Sequence, residues 1–266
     1  MSQPHDSNTH LLHELQSEFT SLSARMQTGD ARSAVASLVH VGTDLPYERP
    51  ASLSTTPTIT VMAGTNGAGK SSNFGTFIRR NGGDYFNPDE VAAALQKRNP
   101  HLTQEAANSL AWSAGKELLE AAIRDGTDYV FETTLGGNTI KRLLQTATEH
   151  GHRLMICYVG LDSADTHIQR VKDRVKRGGH GIPEAKIRER FIRSPQNLLD
   201  LLPVTDELLV FDNSQEADIS AGEAPKPRLL LELKDRGSVN FNDTANLPEW
   251  ASQILSTVRN TQIDQG

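Results

Sequence analysis

Apolar residues at Leu11, Leu12, Leu15, Phe19, Leu22 and Met26 recur at helical spacing and describe one amphipathic stripe. A shorter helix is expected from Ala31 to Val41, so residues 1–50 read as a helical N-terminal segment. Pro46, Pro50 and the Ser/Thr run to Pro57 read as a linker. The pattern then changes. Thr58-Ile59-Thr60-Val61-Met62-Ala63 is a short apolar run ended by Gly64, and strands and helices alternate after it. Further strands are expected at Asp84-Tyr85-Phe86, Tyr129-Val130-Phe131, Arg153 to Val159 and Glu207 to Phe211. Helices are expected from Asp89 to Lys97, Ala106 to Ala122, Thr139 to Glu149, Ser163 to Arg177 and Pro183 to Leu201. Thr103 is a candidate N-cap; Gly126 and Gly151 are stop signals. This rhythm predicts an α/β fold, a mostly parallel sheet with helices on both faces, over residues 58–214. Residues 215–266 are expected to pack on that core. They divide into a loop at 217–227, a hairpin from Leu229 to Val239 turning at Asp235-Arg236-Gly237, and a helix from Leu247 to Val258.

Composition narrows the class. With 36% apolar and 23% charged residues the chain is an ordinary globular protein. Its longest apolar run, Leu154 to Leu161, is far too short to cross a bilayer. The opening MSQPHDSNTH lacks the basic and apolar regions of a secretory leader. The single cysteine, Cys157, lies in an apolar run and suits a reducing compartment. A cytoplasmic protein with no membrane partner is expected. Net charge is −6, which disfavours wrapping a nucleic acid. From Arg170 to Arg193, however, nine Lys/Arg face three acids. A basic segment on an acidic protein is a local anion site or an ion-paired helix face.

Between the first strand and its helix, Gly64-Thr65-Asn66-Gly67-Ala68-Gly69-Lys70-Ser71 fits G-x-x-x-x-G-K-[ST], with Ser72 following. Glycines let successive backbone N–H groups face a phosphate, and the helix start adds its positive dipole end. Lys70 is placed to reach the β- and γ-phosphates of ATP, and Ser71 to ligate Mg²⁺.

Ligands of open α/β sheets bind outside the carboxyl ends of the strands, where Asn87-Pro88-Asp89 and Glu132-Thr133-Thr134 are expected. Asp89 has two readings: an N-cap, or a carboxylate that accepts a hydroxyl proton during phosphoryl transfer. Glu132 is a structural acid, an acid that polarises water, or a ligand of substrate hydroxyls; Thr133 and Thr134 also suit a turn. In the basic segment, Arg170, Arg174 and Arg177 share a helix stripe and Arg190 and Arg193 lie on the returning helix. Gly178-Gly179-His180-Gly181-Ile182-Pro183 breaks the chain between them. Such a helix pair can close as an arginine lid, residues 163–201, or form a solvated face paired with Asp173 and Glu189. His180 reads as a loop residue, and no zinc site is expected.

The stretches Gly64–Ser71, Asn87–Asp89, Phe131–Thr134, Arg174–Pro183 and Arg190–Leu198, in that order, resemble the zeta toxin family over Thr58 to Ser214. The resemblance implies a P-loop kinase fold that phosphorylates UDP-N-acetylglucosamine at the sugar 3′-hydroxyl with ATP, which blocks peptidoglycan synthesis. It makes Lys70 the phosphate-loop lysine, Asp89 the base on the sugar hydroxyl, Glu132 and Thr134 sugar-binding positions, and Arg177 and Arg190 the arginines on the transferred phosphate; Asn87 and Thr133, at the same strand ends, are expected on the substrate side with them. Such toxins are held by a small helical antitoxin, separate or fused, and the Leu11–Met26 stripe fits either a built-in inhibitor or a core-completing helix. One departure stands out. Where the better-known toxins have an arginine two residues past the second threonine, this chain has Gly136.

Three functions follow from the residues: a small-molecule kinase, a nucleotide-dependent ATPase or switch with a protein partner, and a polynucleotide kinase. The 5% aromatic content gives the last little platform for stacking bases.

Overall fold

The computed structural model describes residues 56–215, 226–242 and 244–263. The amphipathic stripe of residues 1–50 and most of the 217–227 loop lie outside the described residues.

Strand β1 (Thr58–Ala63) is buried from Ile59 onward, which is why it carries apolar residues at consecutive positions and shows no alternation. It pairs in parallel with β2 (Tyr129–Thr133) on one side and β3 (Arg153–Gly160) on the other. β3 continues in parallel to β4 (Glu207–Asp212). An antiparallel hairpin, β5 (Arg228–Lys234) and β6 (Ser238–Phe241), completes the order β2-β1-β3-β4-β5-β6. The hairpin turns at the expected place, with Asp235 and Arg236 at φ 48° and 58° and Gly237 following.

Several helix ends follow from their capping residues. After β1 and its loop, a wide π turn (Lys70–Gly75) runs into α1 (Thr76–Arg80). α2 (Pro88–Arg98) begins with proline, and α3 (Gln104–Asp125) is capped by the Thr103 hydroxyl on the Ala106 N–H. Gly126, at φ 63°, ends α3. α4 (Asn138–Glu149) precedes β3. α5 (Ala164–Lys176) is capped by Ser163, and α6 (Glu184–Leu201) returns from it. α7 (Glu249–Ile263) follows Pro248, which sets its start two residues later than the apolar pattern suggested. Its Trp250 indole donates to the Leu161 carbonyl at 2.8 Å and lies over Gly160, fixing α7 at the carboxyl end of β3.

One expectation needs correction. Asp84-Tyr85-Phe86 makes only a single parallel bridge, Phe86 to Phe131, and no strand forms there. The Phe86 N–H and C=O pair with Val130 and Glu132, and α2 begins two residues later, leaving no length for a ladder. The bridge still delivers Asn87 to the sheet edge beside β2.

A continuous apolar core joins the strands to their covering helices. The α5–α6 pair has a separate small cluster of Ile168, Val171 and Ile187, with Ile182 packed on it. Farther along, α6 enters the main core through Leu198 and Leu201. The outer half of this helix pair thus has an apolar cluster of its own, apart from the main core.

Candidate functional site

The strand order places β1 between β2 and β3, so successive connections leave it in opposite directions. That crevice is where α/β sheets bind ligands, and the glycine-rich loop occupies it. Its approach to β3 is close: a Cβ on Gly64 would lie 2.0 Å from the Val159 carbonyl oxygen. Gly67 and Gly69 adopt φ 87° and 91°, open to glycine with little strain. Two contacts brace the loop from outside. The His167 imidazole Nδ1 donates to the Asn66 carbonyl at 2.8 Å, and the Asn213 amide donates to the Ala68 carbonyl at 2.8 Å. Thr65, Asn66 and Ala68 are buried, whereas Ser72 is exposed beyond the loop.

Lys70 is buried and donates to the Gly64 carbonyl at 2.7 Å. Glu132, aligned with Met62 in the β1–β2 register, stands opposite it. The carboxylate lies 3.5 Å from Lys70 Nζ and accepts a 2.7 Å hydrogen bond from Ser71 Oγ. Asn87 Nδ2 donates to the same Ser71 hydroxyl at 3.4 Å. Hydroxyl and carboxylate oxygens side by side are hard ligands suited to Mg²⁺, which commonly takes only one or two protein ligands and completes its shell with phosphate oxygens and water. Among the described residues no group of three or more His, Cys, Asp or Glu could hold a metal alone.

The two readings of Asp89 separate cleanly. The N-cap of α2 is Asn87, whose side-chain oxygen accepts from the N–H groups of Asp89 and Glu90 at 3.0 and 3.4 Å. The Asp89 carboxylate is thereby left for other contacts. Arg174 Nη1 and His180 Nε2 each lie 3.5 Å from its Oδ2. Burial disfavours its charge, but the hydrogen bond and charge of His180, with the charges of Arg174 and Lys70, outweigh that and hold the carboxyl below its usual range.

Beside Asp89 opens a cavity of about 590 Å³ between α2, α3, the end of β2 and α6. Asp89, Glu132, Thr133 and Thr134 line one wall and Arg190 and Arg193 another; Trp112 stands at the rim, half exposed. Thr133 also makes a local turn, its hydroxyl accepting from the Leu135 N–H at 3.2 Å. Arg190 donates to the Asn66 side chain at 2.7 Å, which ties α6 to the phosphate loop.

The lid arginines do not all converge. Arg170 Cβ passes beside Gly67, and Arg174 reaches Asp89. Arg177 is exposed and donates to the Asp173 carbonyl at 3.2 Å; neither it nor Arg174 lines the cavity, which Arg190 and Arg193 do. α5 ends at Lys176, so Arg177 caps the helix and is carried away from the face that Arg174 presents. Sequence reasoning passed over His167 and Asn213, which hold the loop, and treated His180 as a plain loop residue. For Asn213 a usable signal existed, since it directly follows β4 at the same sheet edge as the loop.

A glycine-rich loop at the switch point of a mostly parallel sheet, with a strand-end acid on its serine, defines a P-loop kinase-like fold. The chain belongs to the family described as an AAA domain, whose model matches residues 59–191, half of its length. An uncharacterized protein of Haemophilus influenzae is 32% identical over 128 residues, covering 48% of this chain and 88% of that protein. Among solved structures, the complex of AvrRxo1-ORF1 and AvrRxo1-ORF2 with ATP superposes with a TM-score of 0.59 at 13% identity, over 92% of this chain and 71% of that one. The native complex of the same pair gives 0.59 at 14% identity, over 96% and 80%. At these identities the structural likeness is one of fold.

No helix of the described residues is long and apolar enough to cross a membrane.

Proposed function

We propose that the protein is an ATP-dependent kinase of a small hydroxyl compound, most simply a UDP-sugar of the UDP-N-acetylglucosamine type, acting as a zeta-type toxin. The observation that carries the reading is the position of Asp89: relieved of capping by Asn87, it lines the 590 Å³ cavity next to the phosphate loop. The ordered motifs of the sequence supply the sugar-nucleotide identity, and a structure of the same fold is described with ATP.

In this reading the loop from Gly64 to Ser71 holds the donor phosphates and Lys70 turns from the Gly64 carbonyl toward the β- and γ-phosphates. Ser71 and Glu132, which are hydrogen-bonded to each other, would hold Mg²⁺, which would supply neutralisation of phosphate charge. Asp89 takes the proton of the acceptor hydroxyl as its oxygen attacks the γ-phosphorus. The bond from that phosphorus to the β–γ bridging oxygen breaks, leaving ADP and a phosphate monoester. Arg190 stabilises the charge of the transferring group from α6. Positioning and charge account for nearly all the catalysis in such a transfer.

The decisive experiment incubates a panel of UDP-sugars with the protein and Mg-ATP and follows products by mass spectrometry. One phosphoryl group on UDP-N-acetylglucosamine, with equimolar ADP, is the expected result. A panel left unmodified overturns the sugar assignment.

The contact of Glu132 with Ser71 and Lys70 favours a second reading, in which this acid orients water and the protein is an ATPase or switch. Free labelled phosphate as the sole product, whatever acceptor is offered, would establish it.

The proposed partner is a small helical antitoxin, either a separate protein or residues 1–50. Deleting residues 1–50 should give a folded protein more toxic to its host than the full chain. Unchanged or lost toxicity removes the built-in inhibitor.

A further inference from the structure

Two guanidinium groups flank Asp89, and one of them is not the arginine that the motif resemblance points to. Arg190 comes from α6 and is tied to the phosphate loop through Asn66. The other is Arg174, from the last turns of α5. Its Nη1 lies 3.5 Å from Asp89 Oδ2, and its Nη2 donates to the His180 carbonyl at 3.0 Å. The tip of the helix pair is wrapped around this one side chain. Gly178, at φ 90°, turns the chain back, and a Cβ on Gly179 would lie 2.7 Å from Arg174 Cγ. The ring of His180 then lies 3.4 Å from Arg174 Nη2 and 3.5 Å from Asp89.

A guanidinium has five N–H donors in a rigid fork, suited to planar oxyanions. In Arg174 the Nε donor is buried and has no hydrogen-bond partner. Arg177, by contrast, is exposed and spends its Nε on the Asp173 carbonyl.

We propose that Arg174, not Arg177, is the arginine of α5 that contacts the γ-phosphoryl group of the donor, with His180 and the glycine tip holding it at Asp89. This rests on the kinase reading above. The transferring phosphorus must lie between the donor phosphates on the loop and the acceptor oxygen at Asp89, and Arg174 stands at that end of the path. Its fork holds Asp89 with Nη1 and keeps donors for a phosphoryl oxygen. The guanidinium thus spans the group that accepts the proton and the group that is transferred. No proton leaves Arg174 in the step. The hydroxyl proton goes to Asp89, and the bridging oxygen leaves with ADP.

The test needs no acceptor. Affinities of the full chain for Mg-ADP and for a non-hydrolysable Mg-ATP analogue are measured by calorimetry for the wild type, Arg174→Ala, Arg174→Gln and Arg177→Ala. If Arg174 faces the γ-phosphate, both Arg174 variants weaken the analogue tenfold or more and leave ADP within twofold, and Arg177→Ala leaves both within twofold. Two Arg174 variants, each checked by thermal unfolding, guard against a local folding defect. A selective loss in Arg177→Ala, or equal effects of Arg174→Ala on both nucleotides, overturns the assignment. So does a wild type with no preference for the triphosphate. An unmodified UDP-sugar panel would refute the acceptor while leaving this ratio readable, so the two ideas fail separately.

Discussion

A Cβ on Gly136 would lie 2.8 Å from Cγ of Arg190 and 3.6 Å from the Thr134 hydroxyl. The atom in the way belongs to the arginine's stem, not to its free end, so the whole side chain would have to move. Gly136 is therefore what lets Arg190 lie along the cavity wall and reach Asn66. This gives the departure from the zeta-toxin pattern a physical basis: a side chain at 136 and this placement of Arg190 exclude each other. Gly136→Ala should displace the guanidinium by about an ångström and lower kcat/KM for the acceptor by on the order of 10²-fold. Affinity for Mg-ADP should be unchanged. Unaltered steady-state kinetics in this variant would show that Arg190 does its work from another position.

Asp89→Asn keeps the shape of the side chain and removes its charge. Loss of a positioned base costs about 10²- to 10⁴-fold in rate, and that range is expected for kcat with nucleotide binding retained. The pH profile carries the sign. Because Asp89 is held below the ordinary carboxylate range, it stays ionised through moderately acidic pH. The acid limb of kcat/KM belonging to this group should therefore lie below that of an ordinary aspartate. Removing one of these partners, as in His180→Ala, should move the limb upward. A limb that stays put in that variant assigns the titration to another group.

Glu132→Gln tests the acid on the loop. The amide oxygen can still accept from Ser71, but the charge opposite the buried Lys70 is gone. Turnover should fall by on the order of 10²-fold or more, as when a preorganised charge is lost from a transferring site. Raising the Mg²⁺ concentration should recover part of the rate if the carboxylate helps to hold the ion. Full activity at ordinary Mg²⁺ would reduce Glu132 to a structural strand-end acid.

The fold was legible because each step had a local physical cause. The buried strands are apolar at successive positions, and Thr103, Gly126 and Ser163 cap where their chemistry directs. The hairpin turns where the Asp-Arg-Gly run marks it, although the positive φ values fall on Asp235 and Arg236 and not on the glycine. Asp84-Tyr85-Phe86 has the apolar pair of a strand, but that pair is buried by packing and not by ladder formation. The site was legible in outline, since the end of a parallel strand fixes which edge its next residue reaches. Side-chain direction at a helix end was not. The spacing of Arg170, Arg174 and Arg177 describes one stripe only while the helix lasts, and α5 stops between the second and third. The capping by Asn87 was equally hidden, because Asn and Asp both cap well and either could begin α2.

His167 makes the pH dependence of stability predictable. It is buried under the phosphate loop, and burial pushes its ring down to about 4 from 6.5, although the hydrogen bond to Asn66 works the other way. An unfolded chain would titrate this ring near its ordinary value. Between pH 6.5 and 4 the unfolded state thus binds the proton more readily, and stability is lost as pH falls through that window. Above it the ring is neutral in both states and contributes no slope. The full loss from this one group is about 3 kcal/mol. Urea unfolding from pH 8 to pH 4.5 should show it. His167→Gln, whose amide can still donate to the Asn66 carbonyl, should be less stable at pH 8 yet lose less on acidification. Parallel curves for the two proteins would place the acid sensitivity elsewhere.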